Sequence, residues 1–163
     1  MWIRSDRKGG RRIMPNWCEG TLKVRGKVKD LKRFVLEGLR PVNFFGEYQE
    51  KLQFDGCMIT SKIDCHIENT RRGFVEHLEV WFDEEHDDEI NIICLDARFA
   101  WGIEASKLLE TCKKYNIDMK IYAFEQGMEF NQDIEIVNGE IVKDEEVKFE
   151  DYEWECICPT MGG

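Results

Sequence analysis

Residues 90–124 read INIICLDARFAWGIEASKLLETCKKYNIDMKIYAF, and this stretch predicts a strand, a helix and a second strand. Its β-branched start, residues 90–95, is typical of a buried strand. Apolar side chains then recur at helical spacing and predict a helix that ends near Asn116. From residue 117 to residue 124, apolar and polar side chains alternate, which indicates another strand. The apolar stripe of the helix consists of Ala105, Leu108, Leu109 and Cys112.

The segments on either side of this unit supply further elements. Alternation or helical spacing predicts strands at 17–24, 65–67 and 77–82, a helix at 31–39, a short hairpin of 51–54 with 57–61 around Asp55-Gly56, and a hairpin of 134–137 with 140–142 around Asn138-Gly139. The resulting β-α-β-β-α-β order predicts an α+β, ferredoxin-like fold. In that fold, two helices would cover one face of an antiparallel sheet.

The length of 163 residues fits one domain with additions. We expect a single domain over residues 14–163, with an insertion at about 41–74 and a C-terminal hairpin and tail at about 129–163. Residues 1–13 are basic and show no hydrophobic period, so we interpret them as a non-native or disordered extension. Met14 is then the expected natural start.

Charge is spread unevenly along the chain. Residues 1–33 carry a surplus of about eight positive charges, whereas the whole chain carries −10, so residues 34–163 are strongly acidic. Such an acidic body disfavours binding to a phosphate backbone, and we expect no nucleic-acid partner. No apolar run approaches the roughly 20 residues of a membrane helix, and no secretory segment is evident. The sequence therefore predicts a cytoplasmic protein without a membrane partner.

Seven cysteines occur without a C-x-x-C pair, which favours reduced thiols over a disulfide framework. Cys156 and Cys158 could offer two thiolates to zinc, with Cys18 or the Cys65-His66 pair completing the site. The C-x-C spacing is narrower than that of usual zinc pairs. The alternative is that Cys156 packs and Cys158 is a free thiol, and we predict neither a metal nor a cofactor.

Several short motifs resemble a family of small proteins carried by phages, plasmids and conjugative elements. The motifs are Met-Pro-Asn-Trp-Cys at 14–18, Gly26, Trp101-Gly102, Phe-Glu-Gln-Gly at 124–127 and Tyr-Glu-Trp-Glu-Cys at 152–156. The family is described as YubB-like, with a ferredoxin-like domain. The resemblance implies a ferredoxin-like fold and carriage on a mobile element, and it supports Met14 as the start. It implies no reaction.

A ligand site is one hypothesis for the end of the sheet near residue 125. Glu125 and Glu129 flank Gly127 where the second strand of the opening unit ends, and sheet ends are where sites tend to be built. Together with Trp101 and Asn131, they could form a polar pocket beside an aromatic wall. The alternative is that Gly127 permits a bend, Trp101 closes the edge of the core, and both glutamates are solvated or cap backbone N–H groups.

Two dense acidic stretches suggest a protein-binding surface. A mobile-element protein could use them to mimic nucleic acid and occupy a basic host protein. The alternative is plain solvation of the charges. The residues of this hypothesis are Asp83, Glu84, Glu85, Asp87, Asp88, Asp144, Glu145 and Glu146.

An enzyme is the least supported class. If Met14 is removed, Pro15 would expose a secondary amine that could act as a general base, as in tautomerases. No partner residues for such a site are evident, and the motifs of common hydrolases, kinases and nucleotide-binding enzymes are absent. The sequence therefore favours an accessory binding protein, with a small-ligand or metal-binding domain as the alternative.

Overall fold

A computed structural model describes residues 3–5 and 11–163, and its main feature is an antiparallel sheet of eight strands. Across this sheet the order is β12-β11-β10-β3-β9-β7-β6-β4, while β5 pairs with β8 and β1 pairs with β2 in separate two-stranded sheets. The strands are β1 (Ile3–Ser5), β2 (Arg11–Ile13), β3 (Trp17–Lys27), β4 (Leu39–Pro41), β5 (Met58–Ser61), β6 (Cys65–Ile67), β7 (Gly73–Val75), β8 (Leu78–Trp81), β9 (Ile90–Ala100), β10 (Asp118–Glu125), β11 (Phe130–Val137) and β12 (Glu140–Lys148).

Helices account for a small part of the described chain. They are α1 (Val28–Arg33), which continues into a π-helical turn (Phe34–Gly38), α2 (Ala105–Tyr115), α3 (Tyr152–Glu155) and a 3-10 turn (Glu84–His86). α1 and α2 contact each other, and both contact strands of the large sheet. They therefore cover one face of this sheet, which we call the helical face, and we call the other face the open face.

The core lies between the helical face and the two helices. Strands β3 and β9 each span eleven residues and pair along their whole length. Alternate side chains of each strand point to the same face, so one set enters the core and the other does not. Leu22 and Leu95 are buried opposite each other in this pair, and α2 packs Leu108 and Tyr115 from above.

The predicted ferredoxin-like fold is wrong. In the described part of the chain the structure is mostly sheet, with eight strands in one antiparallel sheet and two further two-stranded sheets. Its α-helices are three and short, and helical residues, with the π-helical and 3-10 turns included, make up only 19%. Strands β4, β6 and β7 extend the sheet on one side of β9, and β11 and β12 extend it on the other. Strand β6 coincides with the strand predicted at 65–67, but β4 and β7 have three residues each and are too short to show a period of two in the sequence.

Several local predictions are confirmed. The unit of strand, helix and strand appears as β9, α2 and β10, and α2 ends at Asn116 in the left-handed region. The Asn138-Gly139 turn joins β11 to β12, and both of its residues have positive φ, as a type I′ turn requires. Of the hairpin predicted around Asp55-Gly56, only the turn and the antiparallel bridge between Phe54 and Ile59 form, since the rest of β5 pairs with β8.

Strands β1 and β2 belong to residues 1–13, for which the sequence predicts a disordered or non-native extension. The remaining residues of that stretch lie outside the described part of the chain. The expected natural start at Met14 stays a prediction. None of the helices in the described part of the chain has both the length and the apolar character needed to cross a membrane.

Candidate functional site

A cleft of about 360 Å³ opens on the helical face, where the turn before β7, the loop after β9 and the start of α2 meet. Volumes of this order are typical of small-ligand sites. The cleft is formed by Thr70, Arg71, Arg72, Gly73, Phe99, Ala100, Trp101, Gly102, Ile103, Glu104, Lys107, Phe130, Gln132 and Glu146.

Trp101 presents its indole at this cleft from a strained backbone. Its φ is 68°, in the left-handed region, and its side chain is 51% exposed. A bulky residue in that region is uncommon, and strain of about 1–3 kcal/mol persists only where the surroundings hold the backbone in place. Glycine would adopt this backbone conformation without strain, yet the chain has an exposed tryptophan at this position.

Two neighbours hold the Trp101 loop. The backbone N–H of Trp101 donates to the carbonyl of Asn16 over 2.9 Å. The Gln132 side chain accepts from Ile103 N–H over 2.7 Å and donates to the Ile103 carbonyl over 3.1 Å. This two-point contact, together with the Asn16 hydrogen bond, fixes the backbone of the loop that carries Trp101.

The charged side chains around the cleft are mixed in sign. Arg71, Arg72 and Lys107 contribute three cations, and Glu104 and Glu146 contribute two carboxylates. The guanidinium of Arg72 lies 5.5 Å from the ring of Trp17, and Lys107 lies 3.8 Å from Glu110. Cations beside aromatic walls formed by Trp101, Phe99 and Phe130 suit a ligand with a planar part and an anionic part.

Glu125, which the sequence places in the same site as Trp101, caps a turn. It is only 1% exposed, and its carboxylate accepts from Gly127 N–H over 2.7 Å and from Met128 N–H over 2.9 Å. Burial raises the pKa of Glu125, and these two donors oppose that effect. Neither Glu125 nor the exposed Glu129, whose φ is 59°, lines the cleft.

Asn131 lies on the opposite face from the cleft. It pairs with Phe124 in the β10–β11 ladder and is 1% exposed. Its amide donates to Tyr122 and to Cys156, and its carbonyl accepts from Tyr152 over 2.9 Å. The structure therefore does not bring together the four residues predicted for the sheet-end site.

The first acidic stretch is largely paired with α1 and its N-terminal flank. Asp88 lies 2.7 Å from the ammonium of Lys29, and Lys32 lies 3.4 Å from Glu84 and 3.6 Å from Asp87. Asp83 accepts from Glu85 N–H and contacts His86 over 2.7 Å. These contacts dock the loop on the start of α1 and reduce the free negative charge that it offers to a partner.

The second acidic stretch lies on β12, an edge strand of the sheet. Asp144, Glu145 and Glu146 are exposed there, and Glu145 lies opposite Asp133 in the register of β11 and β12. Three strands separate β12 from β9, which follows the first acidic stretch. The two stretches therefore do not belong to neighbouring elements of one surface.

The proposed zinc ligands do not converge either. Cys18 lies on the helical face and is paired with Gln132, whereas Cys156 contacts Asn131 on the open face. Within the described residues, no group of three or more His, Cys, Asp or Glu side chains could hold a metal ion. Pro15, the candidate base of the enzyme hypothesis, is buried.

Comparison with known proteins finds no significant match: no family model, no curated protein and no solved structure is similar to this chain. The resemblance to YubB-like proteins, and the carriage on a mobile element that it implies, therefore stay predictions. Of the predicted site residues, Trp101 and Glu146 line the cleft. Sequence reasoning missed Arg71, Lys107 and Gln132, because each comes from a different element and no motif joins them.

Proposed function

We propose that this protein is a small-ligand-binding domain whose cleft beside Trp101 takes a molecule with an aromatic ring and an anionic group. The observation that carries the proposal is the backbone of Trp101, which holds a half-exposed indole in a left-handed conformation. Strain of this kind clusters at ligand sites, where it positions groups in advance.

Support for the ligand class comes from the lining of the cleft. The indole of Trp101 and the ring of Phe130 offer stacking surfaces, and Arg71 and Lys107 offer positive charge. Among residues 14–163, Arg71 makes no ion pair, so its guanidinium is available to a ligand carboxylate or phosphate. The proposed role of this cleft is ligand binding, without a reaction.

Isothermal titration with three probes tests this proposal. Adenosine monophosphate has a ring and a phosphate, adenosine has only the ring, and inorganic phosphate has only the charge. We expect the monophosphate to bind most tightly and Arg71→Ala to weaken it by about tenfold, because a hydrogen bond to a charged group contributes about 1.5–3 kcal/mol. Trp101→Ala should weaken both ring-bearing probes.

Trp154→Ala is the matched control, since Trp154 is 86% exposed and does not line the cleft. This variant should bind all three probes like the parent chain. Equal affinity of Trp101→Ala and the parent chain for the monophosphate, or no binding of any probe by the parent chain, would contradict the proposal.

A second candidate is capture of a basic partner protein by the edge strand β12. Its support is the exposed pair of Asp144 and Glu145, which make no ion pair within the described residues, in contrast to Asp87 and Asp88. Glu146 beside them pairs with Lys148 over 3.4 Å. Reversing the charges of Asp144 and Glu145 should abolish capture at low salt, and reversing those of Asp87 and Asp88 should not. Capture that is insensitive to all four changes would remove this candidate.

A further inference from the structure

The C-terminal segment, residues 149–163, packs against the open face through a small cluster of its own. Phe124, Tyr152 and Cys156 are buried in this cluster, and Phe149 and Met161 pack against them. The final residue donates its N–H to the carbonyl of Trp17 over 2.8 Å. Because the cluster is separate from the main core, the segment can open without unfolding the sheet.

Cys156 lies among hydrogen-bond donors within this cluster. The amide of Asn131 donates to its sulfur over 3.4 Å, and the hydroxyl of Tyr152 donates to the carbonyl of Asn131 over 2.9 Å. Burial raises the pKa of Cys156, but donors from Asn131, Tyr152 and the backbone N–H of Cys158 outweigh it, and the pKa is lowered. In contrast, burial raises the pKa of Cys18 and of Cys112 to about 12.

The second cysteine of the pair is close to the first. Cys158 is exposed, and so is Ile157, the single residue between the two cysteines. Because only one exposed residue separates the two cysteines, we expect the Cys158 thiol to reach the Cys156 sulfur by side-chain rotation and a small shift of this bend.

We propose that Cys156 and Cys158 form a peroxide-sensitive pair, in which Cys156 is the reactive thiol and Cys158 the resolving one. The thiolate of Cys156 attacks one oxygen of hydrogen peroxide, the O–O bond breaks, and the leaving hydroxide takes a proton to become water. Cys156 is then a sulfenic acid. The thiolate of Cys158 attacks its sulfur, an S–S bond forms, and a second water leaves. One peroxide is thereby reduced, and two thiols are oxidised to one disulfide.

The disulfide has a structural consequence. An S–S bond requires the Cβ atoms of the two cysteines to lie about 3.8 Å apart, which turns the Cys156 side chain toward Cys158. The sulfur then leaves the Asn131 amide, and the buried cluster loses one of its three buried members. We expect the C-terminal segment to dissociate from the open face and expose Phe124 and Tyr152.

Peptide mass analysis of the full chain tests this inference. Trypsin cleaves after Lys148 and leaves residues 149–163 as one peptide, which contains only these two cysteines. After treatment with peroxide, alkylation in denaturant and digestion, we expect this peptide to lack both alkyl groups and to be two hydrogens lighter than the reduced form. In Cys158→Ser, Cys156 should instead be trapped as a dimedone adduct of the sulfenic acid.

Two asparagine variants test whether the amide that donates to the Cys156 sulfur controls the rate of Cys156 oxidation. Asn131→Asp replaces the donating amide by a carboxylate and should slow Cys156 oxidation by about tenfold, because a nearby negative charge disfavours the thiolate. Asn91→Asp, at an exposed position on β9, should oxidise like the parent chain. Recovery of residues 149–163 with both thiols alkylated, while exposed Cys57 or Cys94 is oxidised, would overturn the inference. An unchanged rate in Asn131→Asp would also overturn it.

Discussion

The left-handed backbone of Trp101 makes a prediction in which the usual order of two substitutions is reversed. At an ordinary position, glycine is less stable than alanine by about 0.5–1 kcal/mol. At φ 68°, a residue with a Cβ costs about 1–2 kcal/mol more than glycine, so we expect Trp101→Gly to be more stable than Trp101→Ala by about 1 kcal/mol.

Both variants should be less stable than the parent chain. The Trp101 side chain is 51% exposed, so about half of its surface, roughly 100 Å², leaves contact with the protein when the ring is removed. At about 25 cal/mol per Å², this loss is about 2–3 kcal/mol. Relief of backbone strain should offset part of this loss of stability in Trp101→Gly but none of it in Trp101→Ala.

Urea unfolding followed by circular dichroism measures both differences, and a gap of 1 kcal/mol corresponds to about 2–4 °C in Tm for a chain of this size. Ser106 is the matched control, because it is exposed in α2 and has a helical backbone. There, Ser106→Ala should be more stable than Ser106→Gly by about 1 kcal/mol. If alanine is also the more stable substitution at Trp101, the strained backbone, and the argument built on it, are refuted.

Three further predictions concern the rest of the fold. Gln132→Ala removes both hydrogen bonds to the loop after β9 and should cost about 1–3 kcal/mol in urea unfolding; a loss below 0.5 kcal/mol would contradict its anchoring role. Burial raises the pKa of Glu68, but hydrogen bonds from Lys114 and Tyr115 outweigh burial, so the net pKa is lowered. The folded state therefore loses this stabilisation as pH falls through the lowered pKa, and Glu68→Gln should flatten the acid limb of the stability curve, which an unchanged limb would disprove. Phe44 and Phe45 are 93% and 80% exposed, so changing both to serine should alter stability by less than about 0.5 kcal/mol and raise solubility, and a large loss of stability would contradict their exposure.

The sequence predicts the long elements of this fold and the short strands β5, β6 and β8, but it misses the three-residue strands β4 and β7. Alternation over β10 and the apolar stripe of α2 are each long enough to identify the element, and the Asn138-Gly139 pair identifies its turn by backbone chemistry. Strands of three residues are held by neighbours that are distant in sequence. Their number decided the architecture, and the ferredoxin-like prediction was wrong for that reason.

The candidate site was only partly predictable for a related reason. Trp101 stands out in the sequence, but the register of the β10–β11 pair decides which side chains join it. That register places Asn131 on the open face and Gln132 beside the loop after β9. Since neighbours in a strand point to opposite faces, a difference of one residue exchanges an anchor of the cleft for a member of the C-terminal cluster.

The acidic stretches show what composition cannot reveal. Asp83 to Asp88 and the carboxylates of β12 are equally acidic as sequence, yet the first stretch meets the lysines of α1 and its flank. Pairing of this kind depends on how the loop before β9 docks, which no local pattern encodes. The mixed sign of the cleft likewise comes from elements far apart in the chain.

The most direct test of the ligand-binding cleft is a ¹⁵N NMR titration of the tryptophan indole N–H groups with adenosine monophosphate. The five tryptophans give five such signals, and Trp101→Phe assigns the one that matters. We predict a saturable shift of the Trp101 signal, a constant Trp154 signal, and in Arg71→Ala a Trp101 shift that needs about tenfold more adenosine monophosphate to reach its midpoint. A Trp101 signal that does not move, or that moves no more than that of Trp154, would contradict the proposed site.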